Sequence, residues 1–369
     1  MARAVRLARL GLYTTEPNPR VGCVLVRGGE IVGEGFHRRA GLPHAERIAL
    51  AAAGERARGA TAHVTLEPCC HQGKTPPCTE GLLEAGVSRV VAAMRDPNPL
   101  VAGKGLEILH ARGLEVQVGV LEAQARDLNP GFIKRMESGL PYVRCKLAAS
   151  LDGRTAMASG ESKWITSDAA RRDVQLLRAR SSAIVTGVGT LLADDPSMNV
   201  RLPPRDLPGV EPNDAVRQPL RVVVDTGLRT LADARMLSLP GRTLIACVDQ
   251  DPVHAVRLES AGALVYVGAE NEGRVDLESL FRHLAREEIN EILVEAGPTL
   301  AGAVLTAGLV DELVIYLAPH LMGDGARGLF SLPGLERMKD RVELKITDLR
   351  MVGPDLRVTA QPAARGQQK

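Results

Sequence analysis

The sequence predicts an α/β protein built from two domains in series. Three observations carry this reading: the length, an alternation of strand-like and helix-like stretches, and a break in that alternation at Gly139–Pro141. At 369 residues the chain exceeds one ordinary core and suits two. Short apolar strands alternate with helical stretches on both sides of the break, the pattern of a sheet covered by helices. Gly followed closely by Pro at the end of a polar helix is a stop signal.

The elements follow in order. Val5, Ala8 and Leu12 recur at helical spacing with Arg3, Arg6 and Arg9 between them. Those acid-free arginines imitate an organelle leader. A strand follows at once, however, and no apolar signal core is present, so no removable leader is expected. Val21–Val26 and Ile31–Gly35 read as a hairpin around Arg27-Gly28-Gly29-Glu30. Helices are expected at Ala45–Ala53, Thr79–Ala85 and Gly105–Ala111, with strands at Ala62–Leu66, Arg89–Met94 and Glu115–Gly119. One long, mostly polar helix, Ala123–Ser138, closes the first half. In the second half, strands fall at Tyr142–Ala149, Ala183–Thr186, Leu220–Val224, Thr243–Val248, Leu264–Val267, Glu291–Val294 and Glu312–Leu317. Helices fall at Ser167–Arg178, Pro252–Ala261, Leu277–Glu287 and Thr299–Ala307. The Pro-rich run Pro203–Pro219 reads as an exposed excursion, and Pro362–Lys369 as a disordered tail. The expected domains are therefore residues 1–140 and 141–361, each long enough to fold alone.

Composition removes several function classes. Lys plus Arg is 46 and Asp plus Glu is 44, a net charge of +2, so the broad basic surface of a nucleic-acid-wrapping protein is absent. Aromatic residues make up 2% of the chain, too few for a base-stacking platform. No apolar run approaches 18 residues, so no membrane-spanning helix is expected. Of the cysteines Cys23, Cys69, Cys70, Cys78, Cys145 and Cys247, three cluster beside His71 and downstream of His44. In a chain expected in the reducing cytoplasm, clustering of this kind favours a metal over disulfides.

His44-Ala45-Glu46 opens a helix, and Glu67-Pro68-Cys69-Cys70 and Cys78 follow downstream. A hydrolytic zinc site needs three protein ligands and one open position for water. His44, Cys69 and Cys78 supply ligands of suitable chemistry, and Glu46 is placed to move protons. Residues two apart do not share a face of a regular helix. His44 therefore belongs at the helix cap, where the first turn can bring both side chains to one water. The alternative is a structural zinc site closed by Cys70 or His71.

The His-x-Glu … Pro-Cys pattern is that of the zinc nucleobase and nucleoside deaminases, with a longer interval from Cys69 to Cys78 than the usual Cys-x-x-Cys. That interval, with its Thr75-Pro76-Pro77-Cys78, resembles the deaminase domain of the bifunctional riboflavin-biosynthesis deaminase-reductases. So do Pro17-Asn18-Pro19-Arg20-Val21-Gly22 and the run from Asp96-Pro97-Asn98-Pro99 to Gly105. The resemblance implies a cytidine-deaminase-like, three-layer α/β domain. It implies substrate contacts at Asn18, His37 and Lys74. Taken alone, Asp96 and Asn98 could be simple turn formers.

Three glycine-bearing turns follow strands in the second half: Ser150–Thr155, Thr186–Thr190 and Glu295–Gly302. In the third, Pro298 opens a helix whose free N–H groups and dipole favour a phosphate. None is a full dinucleotide fingerprint. Together with Lys146–Gly153 and Gly160–Thr166, however, they resemble the reductase domain of the same family, which has a dihydrofolate-reductase-like α/β fold. The resemblance implies NADPH contacts at Ala148, Trp164, Thr190, Asp194, Thr226 and the turn Gly297, Pro298, Thr299, Leu300, Ala301, Gly302 and Ala303. It implies contacts to a phosphorylated substrate at Lys146, Ser162, Arg178, Asp195, Met198, Arg201 and Glu295, with Arg178 and Arg201 able to clamp the phosphate. It implies Zn²⁺ and NADPH as cofactors and a homo-oligomer as the assembly. A nucleic-acid deaminase with a fused domain would want a basic face and the short Cys-x-x-Cys spacing. A zinc-stabilised binding module would not need Glu46.

Overall fold

The computed structural model describes residues 1–72, 76–249 and 251–363. The chain divides into two compact units, Met1–Leu140 with Pro203–Val216, and Pro141–Leu202 with Arg217 onward. Most of the Pro-rich stretch, expected as an excursion of the second half, thus belongs with the first. There Arg38 pairs with Glu211 at 3.0 Å and Arg39 with Asp214 at 2.7 Å. Gly209, at φ +80°, comes so close that a Cβ would lie 1.9 Å from the Leu10 carbonyl oxygen.

The first unit runs α1 (Ala2–Ala8), β1 (Gly22–Arg27), β2 (Glu30–Phe36), α2 (Ala45–Ala53), β3 (Thr61–Val64), α3 (Cys78–Glu84), β4 (Arg89–Ala92), α4 (Lys104–Ala111) and β5 (Glu115–Val118). Its five strands are ordered β2-β1-β3-β4-β5. β1 is antiparallel to β2 and β3, whereas β3, β4 and β5 are parallel. Glycines show which face each helix covers. A Cβ on Gly22 would strike the backbone of α1, and one on Gly33 or Gly35 would strike α2. Gly22 lies opposite Phe36, so it shares that residue's face and not the face of Gly35. The two helices therefore sandwich the sheet in three layers. Leu25, Ala49, Val64, Leu82, Val90 and Leu109 meet in the core on the α2 side.

The long helix expected over Ala123–Ser138 is two helices, α5 (Glu122–Leu128) and α6 (Pro130–Ser138). Pro130 has no N–H and takes the first position of α6. Asn129, at φ −129° and ψ 42°, leaves the helical region and caps both.

The second unit is built on β6 (Tyr142–Ser150), α7 (Asp168–Arg180), β7 (Ala183–Gly187), α8 (Val188–Asp194), β8 (Leu220–Val224), β9 (Thr243–Cys247), α9 (Pro252–Ser260), β10 (Ala263–Val267), α10 (Leu277–Arg286), β11 (Glu291–Glu295), α11 (Pro298–Thr306), β12 (Glu312–Ala318), β13 (Leu344–Val352) and β14 (Asp355–Pro362). The nine strands are ordered β10-β9-β8-β7-β11-β6-β12-β14-β13. From β10 to β12 every pairing is parallel. The terminal hairpin β13–β14 is antiparallel. Val174 and Leu177 of α7 and Ala255 and Leu258 of α9 pack on Ile184, Val223, Ile245 and Leu293 of the sheet. Pro362, expected to begin a tail, is the last residue of β14 and pairs with Leu344; residues 364–369 lie outside the described residues. Among the described residues no helix is long and apolar enough to cross a membrane.

Candidate functional site

In the first unit, His44 caps α2 in an extended conformation, φ −71° and ψ 164°, with Glu46 in the first turn. Cys78 is the first residue of α3, behind Pro77, and Cys69 lies in the loop after β3. His44 Nδ1 is 3.3 Å from Cys78 Sγ and 3.5 Å from Cys69 Sγ. All three donor atoms lie within 4.8 Å of one another, and among the described residues neither Cys70 nor His71 joins them. Hydrogen bonding from Cys78, set against burial and aided by His44, pulls the Cys69 thiol down to about 4. Hydrogen bonding to Cys69, and then burial, pushes the Cys78 thiol well up. Two sulfurs and an imidazole gathered this closely suit Zn²⁺, which deprotonates thiols as it binds. Burial first, and then the Cys69 thiolate, pushes the Glu46 carboxyl up to about 7.

Asn18 and His37 meet beside this group. The Pro43 carbonyl can only accept, so His37 donates to it from Nδ1 at 3.2 Å. His37 Nε2 is then free to accept from the Asn18 amide at 3.0 Å. Burial lowers the pKa of His37, which favours this neutral ring. Its ring stands edge-on to His44, 5.2 Å between centroids. Lys74 lies outside the described residues. The Asp96 and Asn98 side chains accept from the N–H groups of Asn98 and Leu100, as turn formers do. Glu67, which sequence reasoning passed over, accepts from the backbone N–H of Asp96, Gly103, Gly105 and Leu106. It thereby ties the Pro68-Cys69 segment to the start of α4.

The second unit holds a cavity of about 1350 Å³. It opens at the carboxyl ends of the parallel strands, where α/β sheets bind ligands. Ala148, Trp164, Thr190, Asp194, Thr226, Gly297, Pro298, Thr299, Leu300 and Ala303 line it, as do Lys146, Ser162, Arg178, Asp195, Met198, Arg201 and Glu295. Ala301 and Gly302 of the same turn are buried in α11 and are not among the lining residues, and a Cβ on Gly302 would lie 2.0 Å from the Ser331 carbonyl oxygen. The first turn of α11 has no side-chain cap, and the Gly297 N–H donates to Thr190 Oγ1 at 3.2 Å. Trp164 is 73% exposed, and the Arg171 guanidinium lies over its ring.

Arg178 is not a free clamp. It donates to both Glu295 oxygens, at 2.6 and 2.9 Å, and to the Asn199 carbonyl at 3.2 Å. Burial alone would raise the Glu295 carboxyl, but Arg178, Lys146 and Arg201 outweigh it and hold it low. Burial lowers the pKa of Lys146. Basic side chains far outnumber acidic ones in the lining; sequence reasoning missed Arg171, Arg229, Arg235 and Arg274 because they are scattered along the chain without a motif.

A family model described as the RibD C-terminal domain matches residues 141–358. One described as the cytidine and deoxycytidylate deaminase zinc-binding region matches residues 1–94. The riboflavin biosynthesis protein RibD of Escherichia coli K12 is 54% identical over 96% of each chain. This chain belongs to the RibD family. A solved Acinetobacter baumannii RibD is 45% identical, covering 98% of this chain and 97% of its own, with a TM-score of 0.90. A Thermotoga maritima structure described as a diaminohydroxyphosphoribosylaminopyrimidine deaminase/5-amino-6-(5-phosphoribosylamino)uracil reductase is 33% identical, covering 98% and 97%, with a TM-score of 0.84. As a RibD, the chain pairs a zinc-binding, cytidine-deaminase-like domain with a dihydrofolate-reductase-like one, and it is a deaminase and a reductase of riboflavin biosynthesis.

Proposed function

We propose that the first unit removes the 2-amino group of 2,5-diamino-6-(5-phosphoribosylamino)pyrimidin-4-one and that the second reduces the ribosyl chain of the product to ribityl. The observation that carries this reading is the convergence of His44, Cys69 and Cys78, far apart in sequence, beside the buried Glu46. These three residues would hold the zinc, which lowers the pKa of a bound water to about 7 and so supplies the nucleophile. Glu46 would carry one proton of the attacking water to the departing amine, which would leave as ammonia, while the oxygen stays on C2 and the second proton goes to the ring nitrogen. Asn18 and His37 orient the pyrimidine, and Lys74 contacts its phosphate or ring.

In the second unit, the uncapped turn at Gly297–Leu300 fits a pyrophosphate, and Ala148, Trp164, Thr190, Asp194 and Thr226 fit the rest of NADPH. These residues would hold NADPH, which would supply a hydride for C1′ of the ring-opened imine as its C=N double bond becomes single and the nitrogen takes a proton. Arg201 takes the substrate phosphate together with the Arg178–Glu295 pair, while Lys146, Ser162, Asp195 and Met198 set the sugar's position. The excess of basic lining suits two phosphorylated ligands held together.

Residues 1–140 with 203–216 form the deaminase in this reading, and the remainder the reductase. Incubating the purified protein with the diaminopyrimidine, with and without NADPH, tests it. Ammonia release alone, then a ribityl product on adding NADPH, is the expected sequence; no ammonia would overturn it. Assembly of identical chains belongs to the same reading, and a monomer by light scattering would discard that part.

A further inference from the structure

The segment carrying Asn18 is held from outside the matched deaminase region. Asn129 lies at the break between α5 and α6, with its own backbone fixed: its N–H donates to Arg126 and its carbonyl accepts from Ile133. Its side chain acts as a short neighbouring strand. Oδ1 accepts from the Arg20 N–H at 2.7 Å, and Nδ2 donates to the Arg20 carbonyl at 3.0 Å. The Arg20 guanidinium donates in turn to the Leu128 carbonyl at 2.6 Å. Asn129 is 4% exposed and Arg20 3%, so these bonds exchange little with water.

Two residues before Arg20 stands Asn18. Its N–H donates to Thr15, its amide donates to His37, and His37 in turn anchors on Pro43 next to His44. A continuous run of bonds thus leads from the helix break to the edge of the zinc ligands.

We propose that Asn129 is a positioning residue for deamination, fixing Arg20 and through it the pyrimidine-binding amide of Asn18. This rests on the reading of Asn18 as a substrate contact. The alanine variant removes both bonds to the Arg20 backbone. Asn129→Asp keeps the acceptor for the Arg20 N–H and the break between helices, but turns a second oxygen toward the Arg20 carbonyl.

The test is a double-mutant cycle on the full-length, zinc-loaded protein, with zinc content, melting and reduction of the deaminated intermediate measured alongside. Both Asn129 variants should raise KM for the diaminopyrimidine roughly tenfold, the size of a coupling of about 1.4 kcal/mol, with kcat changed far less. Zinc content and reductase activity should stay at wild-type values. Combined with Asn18→Ala, either Asn129 variant should add little to the loss that Asn18→Ala causes alone. Should the alanine variant fail to fold, the aspartate variant carries the cycle. Losses that multiply in the double variant, or that fall equally on both activities, overturn the inference while leaving the reading of Asn18 intact. A silent Asn18→Ala overturns that reading and the inference with it.

Discussion

Replacing Arg178 by Ala would strand the Glu295 carboxylate inside the second unit. The two side chains are 12% and 11% exposed and share two hydrogen bonds, and Arg178 donates a third to Asn199. Removing one partner of a buried pair costs about 3–5 kcal/mol, because the other charge stays uncompensated. Lys146 also attracts the Glu295 carboxylate, so the lower end, about 3 kcal/mol, is expected. Arg201→Ala loses a bond to the Asn199 side chain at 3.0 Å from an exposed guanidinium and should cost under about 1 kcal/mol. Urea unfolding of the two variants measures the difference directly. Its pH dependence has a definite sign. The folded carboxyl of Glu295 titrates below its ordinary value of 4.5. The stability from the pair is therefore fully present above about pH 4.5 and lost as pH falls through the depressed folded value. The gap between wild type and Arg178→Ala should close in acid. Equal, small losses in both variants, or a gap that persists once the carboxyl is protonated, would refute the reasoning. Binding adds a further check: Arg201→Ala should weaken the phosphorylated intermediate roughly tenfold with NADPH affinity unchanged.

Three other outcomes are expected. Glu46→Gln keeps the shape but cannot carry a proton; ammonia release should fall by about 10²–10⁴-fold while zinc content and reduction of the deaminated intermediate hold. Metal analysis should find zinc in Cys70→Ser and none in Cys69→Ser or Cys78→Ser, and the reverse pattern would move the ligand to Cys70. Trp164 is the single tryptophan of the chain and lines the cavity, so NADPH should quench the protein's indole fluorescence; no change on titration would remove Trp164 from the cofactor site.

Where local pattern and tertiary demand agree, the sequence is legible. The helix Ala45–Ala53 and the strand Leu220–Val224 stand where apolar periodicity puts them. The gathering of His44, Cys69 and Cys78 beside Glu46 was legible because chemistry of that kind restricts residue type and spacing together. The helix break at Asn129 was hidden by the helix-favouring runs Glu122–Leu128 and Ile133–Glu137 around it, although Pro130 and Gly131 carried the signal. The terminal strand β13 was missed because its apolar residues, Ile346, Leu349 and Met351, do not keep strict alternation: the register shifts between Ile346 and Asp348. The engagement of Arg178 by Glu295 could not be read at all, since it joins residues 117 apart.

The discontinuous make-up of the first unit also bears on how the protein is born. Its last piece, Pro203–Val216, leaves the ribosome only after β6, α7, β7 and α8 of the second unit. At about 5–20 residues per second, the nascent deaminase waits roughly 4–15 s between residue 140 and residue 216 for its final segment. Arg38 and Arg39 meet their carboxylate partners, and Leu10 meets Gly209, only at the end of that interval. No single cut in the gene separates the two units. A break after residue 140 leaves the deaminase without a piece, and a break after residue 216 takes β6 and β7 away from the reductase.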